Sequence, residues 1–564
     1  MQAALQHAAL FMSGEFERVP QMTEVKLKQT EVNTEKNETA VTLAEYCYLA
    51  YFAVMLFARG IGLYEGTAAY TVTLVIGLGL FALKILMTEH TVFEYLWMGL
   101  FLLLSLVVYH NTGEKGLLVY MTMMLGIKGV SMKRVFRTGI TVWTVAFLII
   151  HVLTLAGTVS ETTLMHYKNG IGYILCHGLG YPHPNVLHIA YLVIAVFAVY
   201  QAGRLDRKKL IAETVFLFIG NLYVFMWSVS YTGFLATTVF LIFNFYFQSR
   251  RKITKPEQIL IQCIFPICVL FSVLGPVAIK GHLFDLINKA LNTRYFLSNY
   301  FLTQQPITLF GTRFIVPNYR YTMDCSYVYA FMQLGVVTFL IICILYILLI
   351  RNCLIRNRRI EAAIILGTCV AGVTEPFMFN LAYKNMIFLF LGVYLFECSQ
   401  EKESVAAPVL SKKLRILSIG QKKVSDRLLF MDQVCATGKR LLTECRKHLP
   451  VMIAAFVIGC AVPAAVCMVC TAVPSRLYVA EKSVNISDRD QPLHLSQADI
   501  QQIRQSGDLI EGYSGEKQAM YAFTGNTAAI EYFRRIICVS AWIGILLCMT
   551  VAVYFGRMRR RKPE

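Results

Sequence analysis

Residues 336–359 read VVTFLIICILYILLIRNCLIRNRR. The first fifteen carry no charge, and then Arg351, Arg356, Arg358 and Arg359 follow within nine positions. A bilayer core of roughly 30 Å needs about 20 mostly apolar residues wound as a helix. Lipid offers no partner to a peptide group, so such a run must satisfy its own backbone. Lys and Arg concentrate in loops on the cytoplasmic side. The stretch therefore reads as a span that leaves the membrane on the cytoplasmic side.

The same pattern repeats outward in both directions. Fourteen spans are expected, at roughly 41–62, 68–87, 92–109, 115–131, 137–157, 185–202, 210–227, 231–248, 258–279, 327–350, 361–379, 384–397, 450–473 and 535–556. Three more short loops are basic: Lys133/Arg134/Arg137, Arg204/Arg207/Lys208/Lys209 and Arg250/Arg251/Lys252/Lys255. These are alternate loops, which puts both termini in the cytoplasm. The tail Arg557-Met-Arg-Arg-Arg-Lys562 agrees.

Composition says the same of the whole chain. Of 564 residues, 56% are hydrophobic and 15% charged, against about 25% charged in an average soluble domain. The net charge of +19 is then a topology signal and a contact for anionic lipid headgroups. The bases are spread over loops rather than gathered on one face, which argues against a nucleic-acid partner. No cleavable leader opens the chain, so the first span is expected to act as its own insertion signal.

The expected fold is an all-α polytopic membrane protein. Residues 1–40 form a cytoplasmic tail. Residues 41–397 form a bundle of about twelve helices with a large outer loop, 280–326. A basic cytoplasmic linker, 398–449, leads to a two-span C-terminal module, 450–564, with an outer segment at 474–534. Most of the sixteen cysteines lie within spans, where free Cys behaves as a small apolar residue. Cys176 and Cys325 can both reach the outer face, though a disulfide between them is the minor reading. The one CxxC pair, Cys467-Met-Val-Cys470, lies inside the expected span 450–473, and neither metal nor cofactor is expected.

The outer loops hold the unusual residues. Loop 280–326 contains Arg294, Arg313, Arg320 and Asp324, interleaved with Tyr295, Tyr300, Phe310, Tyr319 and Tyr327. External Arg runs against the topology rule and calls for a local reason. A polyanionic ligand supplies one, because Arg holds phosphate with paired hydrogen bonds; a solvated loop with ordinary ion pairs is the plain alternative. A second outer segment ends in His177-Gly-Leu-Gly-Tyr-Pro-His-Pro-Asn185, a shaped entry into the next span. There Asn185 suits a helix cap, and His183 reads as a packing residue or a proton carrier. The turn Ser228-Val-Ser-Tyr231-Thr-Gly233 is adequate as a plain turn. Glu375-Pro376, with Asn380 and Lys384 after it, puts charge near the outer membrane edge. A charge within the bilayer costs roughly 2.5–3.5 kcal/mol on insertion scales, so Glu375 is expected to pair with a base.

The order of these segments resembles the Wzy-type polymerase and O-antigen ligase superfamily, over about residues 41–397. The Gly-Leu-Gly-Tyr-Pro-His-Pro-Asn run resembles that family's His-Pro-Asn entry into a span. Ser230-Tyr-Thr-Gly233 stands where the family often has Ser-Arg-Thr-Gly, and Arg294 where a Gly-Arg pair opens the outer loop. Leu309-Phe-Gly311, Asp324-Cys-Ser-Tyr327, and Glu375 with Asn385 fit further elements. Tyr231 in place of Arg, and Thr293 in place of Gly, are departures. The first removes one expected phosphate contact.

The resemblance implies a GT-C-like bundle and glycosyl transfer on the outer face of a bacterial plasma membrane. The substrate would be undecaprenyl-diphosphate-linked oligosaccharide, built into a capsule, exopolysaccharide or O-antigen. Diphosphate and glycan would meet Arg294, Arg320, Arg313, Asn185, Tyr231 and Lys384. Asp324, His183 and Glu375 would be the catalytic candidates. A flippase and a chain-length regulator would be partners. A ligase with a different acceptor is the nearest rival, and a lipid-linked oligosaccharide flippase or a non-enzymatic assembly scaffold are rivals from other classes.

Overall fold

A computed structural model of the chain describes residues 40–560 except 64, 169–171, 319–320, 403–407, 426–442, 444–446 and 485–491. Strand β1 (Ala40–Thr42) leads into α1 (Leu43–Gly60), followed by α2 (Ala68–Met87), β2 (His90–Thr91), α3 (Val92–Thr112), α4 (Gly116–Leu125) and α5 (Met132–Leu155). A hairpin, β3 (Thr163–Lys168) and β4 (Gly172–His177), precedes α6 (Pro184–Ala202), α7 (Arg207–Ser228), α8 (Tyr231–Ser249) and α9 (Lys255–Val273). Among the described residues, nine helices are long and apolar enough to cross a membrane, compatible with a multi-pass membrane protein.

Every expected span contains helix, but several are broken. The 115–131 segment keeps only the ten residues of α4. The 258–279 segment divides into α9 and the short α10 (Gly275–Ala278). The 327–350 segment divides into α13 (Ser326–Met332) and α14 (Val336–Ile355), because Gly335 takes φ +88° between them, a conformation glycine adopts at little cost. The 361–379 segment ends as α-helix at Ala371 in α15 (Arg359–Ala371), ahead of the extended Glu375 and the single 3-10 turn Pro376–Met378. The last helix of the bundle, α16 (Ile387–Lys402), starts three residues late. Loop 280–326 is itself folded, with α11 (His282–Ala290) and α12 (Arg294–Gln304).

The basic loops gather at one end of the bundle. Arg134 donates to Glu45 of α1 through Nε at 2.7 Å and a second nitrogen at 2.9 Å. Arg356 and Arg358 both pair with Glu397 of α16. Part of the expected linker folds against this end. Strand β5 (Lys413–Leu414) pairs with β2, and β6 (Lys423–Ser425) pairs with β1, both antiparallel. Strands of two or three residues carry no period that a sequence reading could detect.

The C-terminal module departs from an all-α architecture. Its spans are α17 (Leu449–Cys470) and α19 (Asn526–Arg560), which approach closely where a Cβ on Gly459 would stand 2.7 Å from the Gly544 Cα. Small residues of this kind let apolar helices pack at short range. Between the spans stand β7 (Arg476–Ala480), β8 (Leu493–Ser496), α18 (Gln497–Gln505), β9 (Leu509–Glu511) and β10 (Lys517–Thr524). The strands form one sheet in the order β8-β10-β7-β9, with only β7 and β9 parallel. Residues 474–534 had read as a polar outer segment, a small folded cap or a docking element, with no strands assigned.

The module is fastened to the β3–β4 hairpin. Thr163 Oγ1 donates to Ser483 Oγ at 2.8 Å, Thr527 Oγ1 to the Tyr173 carbonyl at 2.8 Å, and Arg534 to the Leu175 carbonyl at 2.7 Å. His177 stands between Glu161 at 3.0 Å and Glu531 at 3.3 Å. Burial alone would lower the His177 pKa, but hydrogen bonds to these two carboxylates and their negative charge outweigh it and raise it. Cys176 and Cys325 are both buried and free, so neither forms a bridge.

Candidate functional site

The site forms at the end of the bundle opposite the basic loops. Asn292 and Thr293 both take positive φ, at 51° and 68°, and this turn starts α12 with Arg294 facing inward. The Arg294 Nε donates to the Thr374 carbonyl at 2.8 Å. The guanidinium lies 3.7 Å from Asp324 Oδ2 and 3.6 Å from Glu375 Oε1. These are ion-pair distances rather than hydrogen bonds, and Nη2 makes no hydrogen bond to the described residues. Arg294 is 8% exposed, Glu375 6% and Asp324 32%.

The carboxylates are held from three sides. Asp324 stands just ahead of α13. From the first residue of that helix, Ser326 Oγ donates to the Glu375 carbonyl at 2.5 Å and accepts from the Met378 N–H at 3.3 Å. The Ser326 N–H donates to the Gly372 carbonyl at 2.9 Å. Thr232, in the first turn of α8, donates its hydroxyl to Glu375 Oε1. The turn that passed as plain in the sequence therefore contributes Thr232. Its neighbour Tyr231 packs its ring on Phe225, 5.5 Å between centroids. Gly233 is required there, since a Cβ would meet the His188 side chain at 2.6 Å.

The segment 372–386 is locked by two residues. Tyr120 accepts from the Lys384 and Asn385 N–H groups at 3.1 and 3.3 Å and donates to the Phe377 carbonyl at 2.9 Å. Asn385 donates to Tyr346 and to the Met378 carbonyl, both at 2.9 Å. Lys384 is buried, and its ammonium makes no hydrogen bond to the described residues. It lies within electrostatic reach of Glu375 and of Arg59.

Arg59 was missed by sequence reasoning. It closes α1 at this end, donates to the Leu63 carbonyl at 2.8 Å, and lies 5.5 Å over the Tyr70 ring. The signal was available: an Arg at the outward end of an apolar run, against the topology rule.

The remaining candidates fall elsewhere. Asn185 does not cap α6. Pro184 fills the first helical position, so the cap is His183, whose Nδ1 accepts from the Asn185 N–H at 3.1 Å. Arg313 is exposed, its guanidinium against Gly113. Arg320 lies outside the described residues. Leu309-Phe-Gly311 serves the backbone. Val336 and Val337 donate to the Thr308 and Leu309 carbonyls at 3.0 and 3.1 Å, and a Cβ on Gly311, at φ +83°, would collide with the Gln333 carbonyl. Nearby, Glu114 accepts from Tyr329 and Gln333, each at 2.9 Å, and burial raises its pKa.

A buried cation facing two carboxylates, one of them partly open to solvent, can hold an anion and a proton acceptor side by side. The cavity directly beside Arg294 is about 10 Å³, the room of one water. A larger ligand would lie across the open side at Asp324. No family model matches the chain, and no curated protein matches it.

Proposed function

We propose that the protein is a membrane glycosyltransferase of the Wzy-type polymerase and O-antigen ligase kind. On this reading it joins undecaprenyl-diphosphate-linked repeat units on the outer face of a bacterial plasma membrane. The observation that carries the reading is the Arg294–Asp324–Glu375 cluster. It draws residues 30 and 51 positions apart in sequence into one charged group.

The reaction makes one bond and breaks one. An acceptor hydroxyl attacks the anomeric carbon of the donor, the bond to the diphosphate oxygen breaks, and lipid diphosphate leaves with the electron pair. Asp324, the more open carboxylate, takes the hydroxyl proton. Arg294 holds Asp324 in place, and Glu375 with Thr232 fixes Arg294. The departing diphosphate gains negative charge and needs fixed cations beside it. Arg294 Nη2 serves that need, with Arg313 and Arg320 assigned there from the sequence alone. Lys384 and Arg59 add positive potential behind them.

Release of undecaprenyl diphosphate from purified protein and lipid-linked repeat units tests the chemistry. We expect Asp324→Asn to slow release by about 100-fold and Tyr231→Phe to leave it near wild type. Absence of any release by the wild type would reject glycosyl transfer.

A further inference from the structure

The basic end holds a cavity of about 560 Å³. Its walls come from the ends of α2, α3 and α16, the residues after α4, and the folded part of the linker. The linker is anchored there: the Leu417 N–H donates to the Leu86 carbonyl at 2.9 Å. Four cations line the space, Lys84, Lys128, Lys413 and Arg415, against two carboxylates, Glu89 and Glu94.

The carboxylates are already engaged. Glu94 pairs with Lys128, caps α3 through the Thr91 N–H at 3.0 Å, and meets His90 at 3.2 Å. Glu89 takes Arg415 at 2.8 Å. Lys84 is 1% exposed and donates only to neutral oxygens, Thr88 Oγ1 at 2.6 Å and the Lys128 carbonyl at 2.7 Å. The Arg415 Nε is buried without a hydrogen-bond partner. A buried ammonium whose hydrogen bonds all go to neutral oxygens, with Glu45 acting on it only from beyond hydrogen-bond reach, and a buried guanidinium N–H left unmade, both cost stability. An anion in the cavity would remove both costs.

We propose that this cavity binds a phosphate-bearing anion through Lys84, Lys128, Lys413 and Arg415. The volume lies in the range of small-ligand sites. Arg and Lys together suit a phosphate, the one by its planar fork and the other as a point charge. No aromatic side chain stands among the described lining residues, so nothing there would stack on a nucleobase. The phosphate has two sources, an anionic lipid headgroup at the membrane surface or a soluble phosphate compound.

Native mass spectrometry of the full-length protein, stripped of lipid in neutral detergent, tests this with phosphatidylglycerol, phosphatidylcholine and inorganic pyrophosphate as probes. We expect one equivalent of phosphatidylglycerol or pyrophosphate to be retained, and phosphatidylcholine not. Arg415→Gln and the exposed Lys413→Gln should each weaken retention about ten-fold, the worth of one charge-assisted hydrogen bond. Retention of phosphatidylglycerol alone assigns a lipid headgroup; equal retention of pyrophosphate assigns a soluble phosphate. Equal retention of every probe by the wild type and both variants would overturn the site, as would retention of none.

Discussion

The Arg294 guanidinium stands 3.6 Å from Glu375 Oε1 with both side chains under one tenth exposed. Removing one partner of such a pair leaves the other charged and buried, which costs about 3–5 kcal/mol. We expect Arg294→Met to lose about that much stability in denaturant titrations. Adding Glu375→Gln should restore at least about 1 kcal/mol. Strict additivity of the two substitutions would show that the pair is not coupled.

Gly311 makes a second stability prediction. Its positive φ and its close approach to the Gln333 carbonyl exclude a side chain. Gly311→Ala should cost about 1–3 kcal/mol and lower activity by displacing the outer loop. An unchanged melting temperature would contradict the backbone role.

The His177 contacts make the docked module sensitive to pH. The folded pKa is raised above the unfolded value of about 6.5. The stabilisation is therefore full below that value and is lost as pH rises through the folded pKa. Protection of the β4 amides, taken relative to their intrinsic exchange rates, should be greater at about pH 6 than at about pH 9, and His177→Gln should flatten the difference. Equal protection at both pH values in the wild type would contradict the contact.

Orientation is open to a separate test. Reporter fusions after Lys209 should report the cytoplasm, and fusions after Tyr167 in the hairpin the outer side. The reverse pattern would invert the topology and move the Arg294 cluster to the cytoplasmic face.

Much of the helical order was legible because long uncharged runs such as Val336–Ile350 leave the backbone one solution in lipid. Arg294 stood out as an external base, Glu375 as a charge near the membrane edge, and Asp324 through the Asp324-Cys-Ser-Tyr327 resemblance. Their convergence was not legible, since it depends on the Asn292–Thr293 turn and on Ser326 gripping the 372–378 loop. Thr232 and Tyr120 act through single hydroxyls that no periodicity marks. The sheet of residues 476–524 was missed because its pairs are long-range, as with Tyr478 opposite Ala522. One of the two carboxylates beside His177 is Glu531, 354 residues away.

The central claim is best tested by product length. Protein in liposomes with lipid-linked repeat units should give a ladder of multiples on a gel, and Arg294→Ala and Asp324→Asn should collapse it. A single transfer without a ladder would favour the ligase reading. An intact repeat unit that only changes leaflet would contradict the enzyme altogether.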